Sequence, residues 1–163
     1  LTALYLINLA FNMVLGPVFG KVVARFGERN TLIFEYVGLA LVFFAYGGIY
    51  MFGWGIILAG TLFVIYHLFF SLAFALKTYF QKIADPADMA STAGVAFTIN
   101  HIAAVFIPVL FGLVWLVSPM LVFLMGSAMA LISLLLARNI PTRPREGFEV
   151  LWGKVQHSGK SLV

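Results

Sequence analysis

The chain has 163 residues, 63% of them hydrophobic and only 10% charged, with a mean hydropathy of +1.04 and a net charge of +4. A soluble domain carries about 25% charged residues, so this composition excludes a water-soluble globule and makes lipid the main solvent. The chain has no cysteine, which excludes disulfides and thiolate metal sites, and its basic residues sit between apolar runs, where they read as membrane topology signals and not as a nucleic-acid surface.

A membrane-spanning helix needs about 20 apolar residues. The first such run covers residues 2–20. It opens at Leu1 with neither a charged leader nor a cleavage site before it, so the chain reads as beginning inside a longer protein. Residues 36–76 carry no charge and are divided by Tyr50-Met51-Phe52-Gly53-Trp54-Gly55, a turn with interfacial aromatics. Residues 89–137 are likewise uncharged and are divided at Ser118-Pro119. The pattern predicts five spans: 2–20, 31–51, 55–76, 90–117 and 119–138. The fold class is therefore an all-α membrane protein with five transmembrane helices over residues 1–140, followed by a tail over 141–163.

The junctions orient these spans. Lys21, Arg25 and Arg29 fall in the first, Lys77 and Lys82 in the third, and Arg138, Arg143, Arg145, Lys154 and Lys160 in or beside the tail; together they are all ten basic residues. The second and fourth junctions are uncharged. The positive-inside rule puts the N-terminus outside and the C-terminus in the cytoplasm of a cell inner membrane. Asp85-Pro86 reads as an N-cap followed by proline at the first helical position, with Asp88 in the first turn favoured by the helix dipole. Pro108 lies inside the fourth span, where a membrane bundle tolerates it. In the tail, Phe148, Leu151, Trp152 and Val155 have the spacing of a short amphipathic helix lying on the membrane surface.

The first basic junction reads Gly20-Lys21-Val22-Val23-Ala24-Arg25-Phe26-Gly27-Glu28-Arg29-Asn30-Thr31-Leu32. It resembles the signature loop of the major facilitator superfamily, G-x-L-A-D-R-x-G-R-K-x-x-L, at Gly20, Arg25, Gly27, Arg29 and Leu32. It departs from that pattern at Ala24, where the family has aspartate, and at Glu28, where it has a basic residue. The resemblance implies that the five spans are helices 8 to 12 of a twelve-helix bundle. It also implies secondary active transport of a small solute by alternating access, not an enzymatic reaction, with the N-terminal half of the same transporter as the missing partner. Gly20, Arg25, Gly27 and Arg29 would then form a conformational loop. Because Ala24 removes the loop's carboxylate, Glu35, one turn into the second span, is the candidate substitute through pairing with Arg25, Arg29 or Lys82.

Ionisable and amide side chains are costly at membrane depth and face a bundle interior or a wet cavity. Asn8, Asn12, His67, Asn100 and His101 qualify. At about 1.5 Å per residue, four of them fall near the midplane and Asn12 one turn lower, the depth at which transporters bind solute. Three helical stripes carry them: Tyr5, Asn8, Asn12 and Gly16; Gly60, Phe63, His67, Ser71 and Phe74; Gly94, Thr98, His101 and Pro108. In the family, helices 8, 10 and 11 line the cavity, and these stripes belong to them. Asn100 and His101 stand about 100° apart on one helix, so only one of them can face the solute. The alternative for each is glue between helices, worth about 0.6 kcal/mol. A bis-His haem site has no supporting cysteine, HExxH motif or second histidine pair, so no cofactor is expected. The competing function is a transporter-like scaffold or sensor without transport.

Overall fold

The computed structural model describes residues 2–53, 55–145 and 148–152, without the Tyr50 side chain. The described residues are helical nearly throughout: α1 (Thr2–Phe52), α2 (Ile56–Phe70), a 3-10 turn (Ser71–Ala73), α3 (Phe74–Ile83), α4 (Met89–Val117) and α5 (Pro119–Arg138). Four helical stretches are long and apolar enough to cross a membrane: Thr2–Ile49, Ile56–Ile83, Met89–Val117 and Pro119–Arg138. They make the chain a multi-pass membrane protein by length and composition.

α1 is not one rod. Gly27 has φ 80° and ψ 161°, a region populated essentially by glycine alone, and it divides α1 into a first limb, 2–26, and a return limb, 28–52. Contacts with α2 give each limb its direction. In the first limb, Leu4 lies 3.9 Å from the Cβ position of Gly60, Tyr5 stacks edge-on with Phe63 at 5.2 Å, and Asn12 bonds Ser71, so the two segments run parallel. In the return limb, Phe34 meets Phe69 at 5.4 Å, Phe43 meets Tyr66 at 5.7 Å, and Tyr46 donates to the Ala59 carbonyl at 3.0 Å, an antiparallel register. The chain reverses at Gly27 because only glycine fits there. It turns again at Gly53, whose φ of 64° closes the return limb with a hydrogen bond to the Ile49 carbonyl at 2.9 Å.

The return limb is the centre of the packing. One side meets α2 and the other meets α5, where buried Ser127 donates to the Ala40 carbonyl at 3.0 Å and Phe123 stacks on Tyr46 at 5.0 Å. Glycines allow these close approaches. A Cβ on Gly126 would meet the Phe43 ring at 3.3 Å, and one on Gly38 would run into the Phe69 ring. Leu39, Ala40 and Ala130 form one buried cluster. Val23, Leu32, Ala75, Ala137 and Ile140 form a second, which ties both limbs to α3 and the end of α5 at the basic end of the bundle. α4 packs principally on α5, has no buried residue, and presents its apolar surface outward.

Three local expectations are corrected. The third span does not stop at residue 76 but runs through a 3-10 turn to Ile83. Asp85 does not cap a helix: its carboxylate accepts from the Ala87 N–H at 2.9 Å, an Asx turn, and α4 starts at Met89 after Asp88. The tail segment that holds Phe148, Leu151 and Trp152 is not helical; Val155 lies outside the described residues. Asn139 holds that segment instead, its Nδ2 donating to the Trp152 carbonyl at 3.1 Å and its own carbonyl accepting from Leu151 N–H at 2.8 Å. Tyr79 donates to the Glu149 carbonyl at 2.6 Å. Backbone groups used this way cannot close a helical turn.

The Gly38 contact gives a direct check. Gly38→Leu forces the Phe69 ring out of its place, an overpacking cost of about 1–3 kcal/mol, and lowers the melting temperature of the detergent-solubilised protein. Gly112→Ala, where an added Cβ meets nothing within 4 Å, leaves it unchanged or slightly raised. Equal melting temperatures for Gly38→Leu and the parent would contradict the packing.

Candidate functional site

The polar residues of α1 and α2 meet along one seam. Asn12, on the first limb, is joined to Ser71 at the start of the 3-10 turn: the Ser71 hydroxyl donates to Asn12 Oδ1 and also lies 2.8 Å from the His67 carbonyl. The hydroxyl has one hydrogen, directed to Asn12 Oδ1 or shared with the His67 carbonyl, and neither Nδ2 hydrogen of Asn12 has a partner among the described residues. The helix narrows from α to 3-10 at this point, over Ser71–Ala73. Neither proline nor glycine is present there to cause it, and a mid-helix 3-10 stretch often marks a hinge.

Below the pair opens a cleft of about 650 Å³. The first limb contributes Asn12, Gly16 and Phe19, and the α2–α3 segment contributes Phe70, Ser71, Ala73, Phe74 and Lys77. This volume is in the range of small-molecule sites, about 300–1,000 Å³. Lys77 is the only charged residue on its wall.

One turn above Ser71, His67 is half-buried, with its ring against Phe63 at 4.3 Å, Tyr66 at 4.9 Å and Tyr5 at 6.0 Å. Its Nδ1 lies 2.9 Å from the Phe63 carbonyl. A carbonyl only accepts, so Nδ1 carries the proton and Nε2 is the free acceptor of the neutral ring. Asn8, one turn above Asn12, is 3% exposed, and neither atom of its carboxamide has a hydrogen-bond partner among the described residues. A buried amide without partners is costly, about 1–3 kcal/mol, and such a group in a native structure calls for an explanation.

Asn100 and His101 stand apart. Both are exposed on α4, and His101 Nδ1 turns back to the Phe97 carbonyl at 2.8 Å with its ring on Phe97 at 3.8 Å. The chain brings together Asn12, Ser71 and His67, with Asn8 alongside, and does not bring the two α4 residues to them. Ser71 lies on the sequence stripe of His67, but serine in an apolar helix ordinarily bonds its own backbone, so the stripe alone does not mark it as a site residue.

The loop candidates lie at the basic end. Gly20 has open space around it, Arg25 is exposed with its guanidinium 5.7 Å from the Phe26 ring centre, and Gly27 makes the reversal. Glu35 does not take the place of the missing loop carboxylate. Lys82 pairs with Glu28 at 2.6 Å, and among the described residues Glu35 forms no ion pair. The cause is position: Glu28 follows Gly27 directly and faces the end of α3, whereas Glu35 is seven residues, about 10 Å, further along the limb. Glu35 is 2% exposed with Oε2 unpartnered, and the Arg29 Nε is buried and unpartnered as well.

No protein-family model, curated protein or solved structure matches this chain.

The Glu28–Lys82 pair is asymmetric, with side-chain exposures of 4% and 53%. Removing the lysine strands a buried carboxylate, whereas removing the carboxylate leaves a lysine already half in water. Lys82→Ala is expected to lower the melting temperature more than Glu28→Gln, and adding Glu28→Gln to Lys82→Ala is expected to restore most of the loss. Equal effects of the two single substitutions would contradict this arrangement.

Proposed function

We propose that the chain is the C-terminal part of a secondary active transporter of the major facilitator type. It carries a small solute across the inner membrane by alternating access, together with an N-terminal half of the same protein. The observation that carries the reading is the Asn12–Ser71 pair, set beside a 3-10 interruption and opening on a cleft between otherwise apolar helices. A purely structural bundle gains nothing from an open cleft at that point, whereas a transporter needs polar contacts for its solute and a place where the backbone can change geometry.

Two further features support it. On this reading the two limbs of α1 on either side of the Gly27 reversal cross the bilayer separately, making five crossings, and the basic junctions then put the N-terminus outside and the C-terminus in the cytoplasm. The loop that reverses is the segment that resembles the family signature, and its Gly27 is the residue whose backbone no other side chain fits. Asn12 and Ser71, which line the cleft, are then the solute-facing groups of this half, with His67 one turn above Ser71 and Asn8 buried one turn above Asn12, while Asn100 and His101 on the outward face of α4 are free to meet the other half. Glu28 and Lys82 hold the end of α3 to the loop, and their separation is the step by which the cytoplasmic side opens.

The intact protein reconstituted in liposomes is expected to exchange solute. Asn12→Ala and Ser71→Ala should each reduce the rate about tenfold or more, the effect of one lost polar contact to solute. Correct insertion with no solute movement under any gradient would instead favour a scaffold or sensor. Normal rates in both Asn12→Ala and Ser71→Ala would overturn the assignment of the cleft.

A further inference from the structure

The chemistry of the cleft selects one class of ligand. We propose that it binds an amphipathic organic anion, with the charged group between Lys77 and the Asn12–Ser71 pair and the apolar body against Phe19, Phe70 and Phe74. This rests on the transport reading only in calling the ligand a solute; the binding chemistry stands separately.

The argument begins with sign. Lys77 is exposed into the cleft, no carboxylate lines the wall, and among the described residues no acid pairs with this lysine. Lys82, the other basic residue of α3, is already neutralised by Glu28. The uncompensated charge is therefore positive, and at the edge of a low-dielectric wall its field is weakly screened. The neutral polar groups agree with that sign. Ser71 donates to one lone pair of Asn12 Oδ1 and so orients the amide, whose two Nδ2 hydrogens have no partner among the described residues. Donors and a cation without a free carboxylate suit a carboxylate, sulfonate or phosphate and repel an ammonium.

Size and shape then fix the remainder. Ser71 and Lys77 both line the cleft and are six residues apart, about 9 Å along the helix axis, a span that one anionic group with its first carbons can bridge. The wall between them is made of phenylalanine rings and Ala73, and Gly16 opposite adds no side chain. A small inorganic ion would leave those rings facing empty space. An aromatic or aliphatic body covers them, and a volume of about 650 Å³ holds a ligand of one or two rings. Lys77 also lies at the basic end of the bundle, so the same chemistry could come from a free organic anion or from the headgroup and first methylenes of an anionic lipid.

The test uses the full protein in phosphatidylcholine nanodiscs and three probes of one shape: 1-naphthoate, 1-naphthylmethanol and 1-naphthylmethylamine. Equilibrium dialysis is expected to show saturable naphthoate binding about tenfold or more tighter than either other probe. Lys77→Gln should abolish that preference and Lys77→Arg should retain it. Should Lys77→Gln not fold, Asn12→Ala should weaken naphthoate and not the alcohol. Displacement of naphthoate when half of the lipid is phosphatidylglycerol assigns the anion to lipid, and undisturbed binding assigns it to a free solute; both outcomes support an anion site. Binding of the amine or the alcohol as tight as that of naphthoate, or naphthoate affinity unchanged in Lys77→Gln, overturns it. Solute uptake without naphthoate preference would sink the anion class and leave transport standing, while naphthoate binding without movement of any solute would do the reverse.

Discussion

In hydrocarbon a polar group has no water to fall back on, and each one must find its partner within the protein. That constraint organises this chain. Backbone groups are satisfied by making almost every described residue helical. Side-chain hydroxyls on the helices mostly turn back on their own backbone, as Thr61 does to Ile57 and Thr98 to Gly94. Others reach across helices: Ser127 to the Ala40 carbonyl, Tyr46 to the Ala59 carbonyl, and Ser71 to the Asn12 side chain. The first two end on backbone carbonyls and act as glue. The third joins two side chains at the rim of a cleft and leaves donors over, which is why the functional reading settles there.

The packing that presents this seam depends on glycine in two ways. Gly27 supplies a backbone geometry that reverses the chain between the limbs of α1, and Gly38 and Gly126 let aromatic rings sit against the return limb. The return limb thereby becomes the shared wall of α2 and α5, and the first limb is left beside α2 in parallel. Parallel neighbours of this kind need a returning segment between them, and the limb 28–52 is that segment. The Glu28–Lys82 pair and the cluster of Val23, Leu32, Ala75, Ala137 and Ile140 close the basic end around it.

Much of this was legible in the sequence for a simple reason: charge is expensive in lipid, so charge-free runs mark helices. The runs 90–117 and 119–138 agree with α4 and α5 to within a residue, and the end of α1 at Phe52 and the start of α2 at Ile56 fall where the aromatic cluster placed a break. Less legible was whatever depends on partners. The continuation of α3 past Lys77 was hidden because a lysine at a helix end can reach past its own turn to water. The 3-10 turn at Ser71 has no sequence mark, since Phe-Ser-Leu-Ala-Phe forms an α-helix equally well. Glu28 looked like a defect in a family motif and Glu35 like its replacement, yet Lys82 pairs with the nearer of the two. Periodicity in the tail suggested a surface helix, but Asn139 offered its backbone and side chain as partners and held Leu151 and Trp152 in a bent, non-helical segment. The stripe of Asn8, Asn12 and Gly16 and that of His67 and Ser71 were both visible in sequence; that they face each other, and that the α4 residues do not join them, is a matter of tertiary contact.

Transport along the seam between the first limb and α2 requires that its cleft admit water while the lipid-facing side of the first limb stays dry. The chain has no cysteine, so single cysteines can be introduced at Asn12, Gly16, Ser71 and Lys77, which line the cleft, and at Val14 and Val18, which are exposed on the first limb away from it. A hydrophilic methanethiosulfonate reagent applied to the protein in native membranes is expected to modify the four cleft positions rapidly and the two valine positions slowly or not at all. Uniform slow reaction at all six, or faster reaction at 14 and 18 than at 12 and 71, would contradict a wet cleft and leave the Asn12–Ser71 bond as helix glue alone.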